Sequence, residues 1–202
     1  MKKGLTVLIS LCFCLFTLAA CGAKGIHAQV SEELGIDVSK GREISNYDSH
    51  GGFHGDGTTC IVFKFDDDTA LEEVKNNPAW KAFPLDGTVQ TLVYGAADEN
   101  GQIGPYLTKD SEGAELHTEL LVPEIQNGYY LLVDRQAQPG MATGADILHR
   151  GSFNFTLGLY DTDTDTLYFC KLDTQENGIV KEIEVDIRQY QRSDCEEPSE
   201  FM

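Results

Sequence analysis

The stretch 153–173 limits the possible folds more than any other. Phe153-Asn-Phe-Thr-Leu-Gly-Leu-Tyr160 and Leu167-Tyr-Phe-Cys-Lys-Leu172 are aromatic and aliphatic runs on either side of the polar segment Asp161-Thr-Asp-Thr-Asp-Thr166. Two such runs around a short turn predict a β-hairpin at the centre of an antiparallel sheet. Phe153, Phe155, Leu157 and Leu159 fall on one face of the first strand, with Asn154 and Thr156 opposite. In the second strand Leu167 and Phe169 share a face, and Tyr168, Cys170 and Leu172 share the other.

Further strands follow from the same alternation. Arg42–Asp48 reads as a first strand with Ile44 and Tyr47 inward, Cys60–Phe65 as a strand with one apolar face, and Tyr129–Val133 as another. Asn177-Gly178 is a hairpin turn signal. After it, Ile179, Ile183, Val185 and Ile187 alternate with Glu182, Glu184 and Asp186, the pattern of an acidic edge strand. Helical signals are few. Thr69 stands three residues before Glu72 as in a capping box, and Asn77-Pro78 stops that helix. Thr88 caps a second short helix over Val89–Tyr94, ended by Gly95. Trp80, Phe83 and Leu85 supply core bulk, and residues 96–127 form a long connection that serves as a binding loop or as irregular structure. The predicted fold is α+β: an antiparallel sheet of five to six strands with a C-terminal meander and one or two short helices. A mostly-β barrel or sandwich is the rival.

The N-terminal residues have a different character. Lys2 and Lys3 precede the apolar run Leu5–Leu18, and Leu18-Ala19-Ala20-Cys21 closes it. The pattern is that of a secretory signal, too short for a typical membrane span. Its last four residues resemble a bacterial lipoprotein signal. The resemblance implies that Cys21 carries a diacylglyceryl thioether, becomes the mature N-terminus and ties the protein to a membrane surface. Taken with Ser49-His-Gly-Gly-Phe-His-Gly-Asp-Gly57 and Tyr160-Asp-Thr-Asp-Thr-Asp-Thr-Leu-Tyr168, the chain resembles small lipoproteins of Gram-positive bacteria. That resemblance brings no reaction with it. The expected organisation is a signal peptide over 1–20, a flexible tether over 21–35, one extracytoplasmic globular domain over 36–189, and a frayed tail over 190–202.

Removing Lys2 and Lys3 from the 15 basic residues leaves 13 against 33 acidic ones, a net charge of −20. Such a surface repels nucleic acid and finds no electrostatic grip on anionic lipid. Cys12 and Cys14 lie in the signal and Cys21 is the lipidation candidate, which leaves Cys60, Cys170 and Cys195. Export permits a disulfide. Cys60 and Cys170 both fall in strands, so they either pair or remain as buried thiols, and the odd count leaves one thiol over. No CxxC motif is present.

Three polar groupings are candidates for chemistry. Asp48, His50, His54 and Asp56 crowd a glycine-rich loop, and imidazole with carboxylate is a competent donor set for zinc-like ions. The alternative is a structural loop with locally bonded histidines. Asp161, Asp163 and Asp165 follow the D-x-D-x-D opening of a calcium loop, but Thr166 and Lys171 stand where Gly and Glu are needed. The alternative there is a polar turn with Asp side chains bonded to backbone N–H groups. Asp134 and Arg135 at the end of one strand, with His149 and Arg150 before the next, meet at one sheet edge if those strands are antiparallel neighbours. Tyr129, Tyr130, Tyr160 and Tyr168 either face a peptide or glycan ligand or form core. No catalytic set stands out and no cofactor is identified. The expected role is a membrane-anchored binding or interaction domain for a protein or glycan. The alternatives are a metal-dependent enzyme using the His50–Asp56 loop and a structural surface lipoprotein.

Overall fold

The computed structural model describes residues 25–50, 56–98, 101–109, 115–137 and 147–174. Its centre is the predicted hairpin. Strands β7 (Phe153–Asp161) and β8 (Thr166–Thr174) pair along their whole length, from Phe153 opposite Thr174 to Asp161 opposite Thr166. Around them stand β1 (Arg42–Asp48), β2 (Gly57–Lys64), β3 (Lys81–Ala82) and β6 (Gly128–Asp134). The order β1-β2-β8-β7-β6-β3 makes one open, antiparallel, six-stranded sheet. With three short helices among the described residues this is the α+β class, and among those residues the sheet does not close into a barrel. β4 (Ala96–Asp98) and β5 (Gly101–Ile103) form a separate small hairpin.

Both faces of the sheet are covered, so the central strands are buried at almost every position. One face carries Cys60, Phe153, Phe155, Leu157, Leu159, Cys170 and Leu172. It packs under helix α3 (Gly87–Tyr94) and the segment that contributes Leu107, Leu116, Leu120 and Ile125. The other carries Ile61, Phe63, Leu131, Tyr160, Leu167 and Phe169 under helices α1 (Ile26–Leu34) and α2 (Thr69–Asn76). This alternation is the one that the sequence dictates for β7 and β8.

Helix α1 corrects the expected tether over 21–35. Ile26, Val30 and Leu34 recur every four residues, Val30 and Leu34 are wholly buried, and Gly35 ends the helix in the left-handed conformation. Each of these buried side chains contributes about 1.5–3 kcal/mol, which fastens the helix to the sheet. Trp80 adds a buried hydrogen bond, its Nε1–H donating to the Leu34 carbonyl at 3.1 Å. Gly158 makes room for this contact. A Cβ there would lie 2.8 Å from the Trp80 ring and 2.9 Å from the Leu34 side chain.

Smaller differences have local causes. Ile44 is 46% exposed rather than inward, because the pairing of β1 with β2 shifts register between Glu43 and Ser45. Tyr47 does pack against the core. Helix α2 takes its first N–H bond from Asp67, whose Oδ1 accepts from the Thr69 N–H at 3.0 Å, not from a Thr69–Glu72 box. Asp86 rather than Thr88 caps α3, accepting from the Val89 N–H at 2.9 Å. Leu116–Val122 holds a 3-10 turn over Thr118–Leu120. Residues 175–202, with the expected strand and tail, lie outside the described residues, as do the signal and Cys21.

Candidate functional site

The outer strands are β1 and the two-residue β3, and β3 leaves most of the neighbouring β6 beside a groove. β3 pairs with β6 only through Lys81 opposite Tyr130 and Ala82 opposite Tyr129. Beyond Tyr130, Leu131–Asp134 have no strand on their outer side among the described residues. The direction of the backbone groups follows from register. The Arg135 N–H donates to the Asn154 carbonyl, and the Phe83 N–H to the Gly128 carbonyl, both at 2.9 Å. Antiparallel ladders alternate, so Tyr129, Leu131 and Val133 bond inward to β7, and Gly128, Tyr130, Leu132 and Asp134 point outward. The Leu132 N–H and C=O therefore face a groove of about 450 Å³, walled by Pro78, Ala79, Lys81 and Asp86.

The strand end beside the groove is rigid. Arg150 donates from Nη1 and Nη2 to both Asp134 oxygens at 2.8 Å, and the Asp134 side chain is fully shielded. Arg135 pairs with Glu33 of α1 and donates to Thr156 Oγ1 at 2.8 Å, while Thr156 Oγ1 donates to Glu33 at 3.1 Å. Lys171 Nζ approaches the same carboxylate at 3.6 Å. The structure thus joins Asp134 with Arg150 as antiparallel neighbours should, and binds Arg135 to α1 instead. His149 sits exposed on a 3-10 turn. These charges are matched with one another and serve to hold the edge in place.

Of the glycine-rich loop's candidate residues the structure describes Asp48, His50 and Asp56. His50 Nδ1 lies 2.8 Å from Asp48 Oδ1, which also accepts from the His50 N–H at 2.9 Å and from Thr59 Oγ1 at 3.1 Å. Burial alone would raise the Asp48 carboxyl, but these three donors outweigh it and hold the pKa below the usual carboxylate range. An ionised carboxylate only accepts, so Nδ1 is the protonated ring nitrogen. Among the described residues His50 Nε2 and Asp56 Oδ1 are shielded from solvent without a hydrogen-bond partner. Gly57 lies beneath the ring, where a Cβ would come within 2.7 Å of His50 Cγ. A carboxylate-held imidazole with a free Nε2 is chemically suited to a cation or a proton. His54 lies outside the described residues, and among those described no three metal-binding side chains converge.

The acidic hairpin turn is a turn. Asp161 is buried, with Oδ1 accepting from the Asp163 N–H at 2.9 Å and Oδ2 from Thr164 Oγ1 at 2.7 Å. Asp163 instead accepts from Asn127 Nδ2 at 3.0 Å, and Asp165 takes a positive φ of 46° to close the loop. The three carboxylates do not converge on an ion site. The tyrosines are no exposed aromatic face either: Tyr130 and Tyr160 are buried, and Tyr129 and Tyr168 are half-buried against the core.

Among the described residues the chain is an α+β protein whose sheet leaves Leu131–Asp134 of β6 beside a groove. Comparison with protein-family models, with curated proteins and with solved structures finds no match for the chain.

Proposed function

We propose that this chain is a lipid-anchored, extracytoplasmic binding domain that accepts an extended peptide segment along the outer edge of β6. The single observation behind the site is the stretch Leu131–Asp134, without an outer strand among the described residues and with outward backbone groups at Leu132 and Asp134 bordering a groove. An extended peptide supplies the matching N–H and C=O groups, and its alternate side chains meet Leu131, Leu132 and Val133. The strongly acidic surface favours a basic partner over an acidic one. The anchor rests on Cys21 and its preceding apolar run, and mass spectrometry of the N-terminal peptide from the native host tests it.

Selection from a displayed random-peptide library against the full chain tests the groove. Enriched peptides should lose binding to Leu132→Pro, which removes an outward N–H without touching the β7 ladder. Retention of binding by that variant, or failure to enrich any peptide, would reject the groove and favour a structural surface role.

A second reading has one observation in its favour: among the described residues His50 Nε2 and Asp56 Oδ1 are both buried without a hydrogen-bond partner. On that reading the loop holds a metal ion and the protein is a metal-dependent enzyme. Stoichiometric metal in natively purified protein, lost in folded His50→Ala and His54→Ala, would support it. Its absence from that preparation would reject it.

A further inference from the structure

Cys60 on β2 and Cys170 on β8 stand directly opposite each other and are almost wholly buried, at 1% and 2% exposure. Residues directly opposite in an antiparallel pair project to the same face, and both belong to the core beneath α3. The register fixes the kind of pair. The Phe65 N–H donates to the Asp165 carbonyl at 2.9 Å, in the same register as Cys60 with Cys170. Hydrogen-bonded pairs between β2 and β8 therefore fall at Phe65, Phe63, Ile61 and Thr59. Cys60 and Cys170 occupy a non-hydrogen-bonded site. Pairing with β1 agrees: the Ser49 N–H donates to the Thr58 carbonyl at 3.0 Å, which makes Cys60 with Tyr47 a hydrogen-bonded pair on the other side.

At non-hydrogen-bonded sites the Cα atoms stand about 4.5 Å apart. A disulfide needs roughly 4.4–6.8 Å. We infer that Cys60 and Cys170 form a cross-strand disulfide-forming site, closed by exchange with an organic disulfide. A thiolate of the pair attacks one sulfur of that disulfide and expels a thiolate. The second cysteine then attacks the mixed disulfide, forming Cys60–Cys170 and expelling the other thiolate. Two protons pass to the leaving thiolates, the two cysteine sulfurs are oxidised, and the organic disulfide is reduced to two thiols.

Both cysteines are free thiols in this structure. The neighbouring Cys60 thiol, hydrogen-bonded to Cys170, and then burial push the Cys170 thiol well up, and burial keeps both sulfurs from an oxidant once the sheet has closed. The bond should therefore form during folding, before the sheet closes over the pair. No covalent link yet joins β2 to β8, and this one would tie residues distant in sequence at the sheet centre.

The test uses the full chain, unfolded in urea and refolded with oxidised glutathione. Remaining thiols are then capped with iodoacetamide and the protein is digested with trypsin. Trypsin isolates Cys60 in Glu43–Lys64 and Cys170 in Gly151–Lys171, with no other cysteine in either peptide. The expected result is that these two peptides are recovered joined, from protein with an unchanged far-ultraviolet circular dichroism spectrum and a raised thermal midpoint. Separate recovery of the two peptides with both cysteines capped would overturn the inference. Linkage of either to Cys195 instead would also overturn it, as would linkage found only in protein that has lost its sheet spectrum.

Discussion

The two edges of this sheet have been treated in opposite ways. β1 runs seven residues along β2, shows Arg42, Glu43, Ile44, Asn46 and Asp48 to solvent, and breaks register after Glu43. Charges and a bulge on an edge strand discourage further pairing. β6 has no such devices over Leu131–Val133. A two-residue strand covers its first half, and its second half borders a groove. One edge carries charges and a bulge, and among the described residues the other leaves Leu131–Asp134 uncovered where Asp134 is paired with Arg150. This contrast carries the functional reading more than any single polar residue.

The largest effect should come from the anchor of the open edge. Asp134→Ala removes the bidentate partner of a mostly buried guanidinium, which should cost about 4 kcal/mol. By thermal melting this is a fall of roughly 8–16 °C for a domain of this size. Paired proline substitutions sharpen the contrast next. Leu131→Pro deletes an inward ladder bond to β7 and should cost about 3 kcal/mol, whereas Leu132→Pro should cost about 1 kcal/mol. Equal losses in urea titrations would show that the outward assignment of Leu132 is mistaken.

At the end of β1, Asp48 has a folded pKa below its ordinary value. The depressed group stabilises the fold above its unfolded pKa, and that contribution disappears as pH falls through the folded pKa. The stability gap between wild type and Asp48→Asn should therefore be present at neutral pH, begin to shrink as pH falls below about 3.9, and vanish only below the lower folded value. The smallest effect belongs to Ile44→Thr, at an exposed bulge, where urea midpoints should shift by less than about 0.5 kcal/mol.

Much of the scaffold was legible because β-strands announce themselves by alternation. Residues 153–172 displayed both of their faces in the sequence, and both faces proved to be buried. Helix α1 was missed although Ile26, Val30 and Leu34 followed by Gly35 carried a helical period and a stop. Three apolar residues in a short polar stretch are easily taken for a tether. Ile44 was misplaced because a bulge shifts side-chain phase without any residue that advertises it. The site was harder to read. The His50 loop drew attention through its residue types, and one of its histidines is indeed held by a carboxylate. The groove beside β6 has no motif at all. It arises because β3 begins only at Lys81, opposite Tyr130, and strand length on one side of a partner is a tertiary property. Pro78, just before β3, was the only local hint that pairing would be brief.

The most direct measurement is amide hydrogen exchange along β6 by NMR, without and with a peptide selected on the full chain. The account predicts slow exchange at Leu131 and Val133 throughout, with fast exchange at Leu132 in the free protein that becomes slow when peptide is bound. Protection of Leu132 equal to that of Leu131 in the free protein, or an unchanged Leu132 rate in the complex, would contradict it.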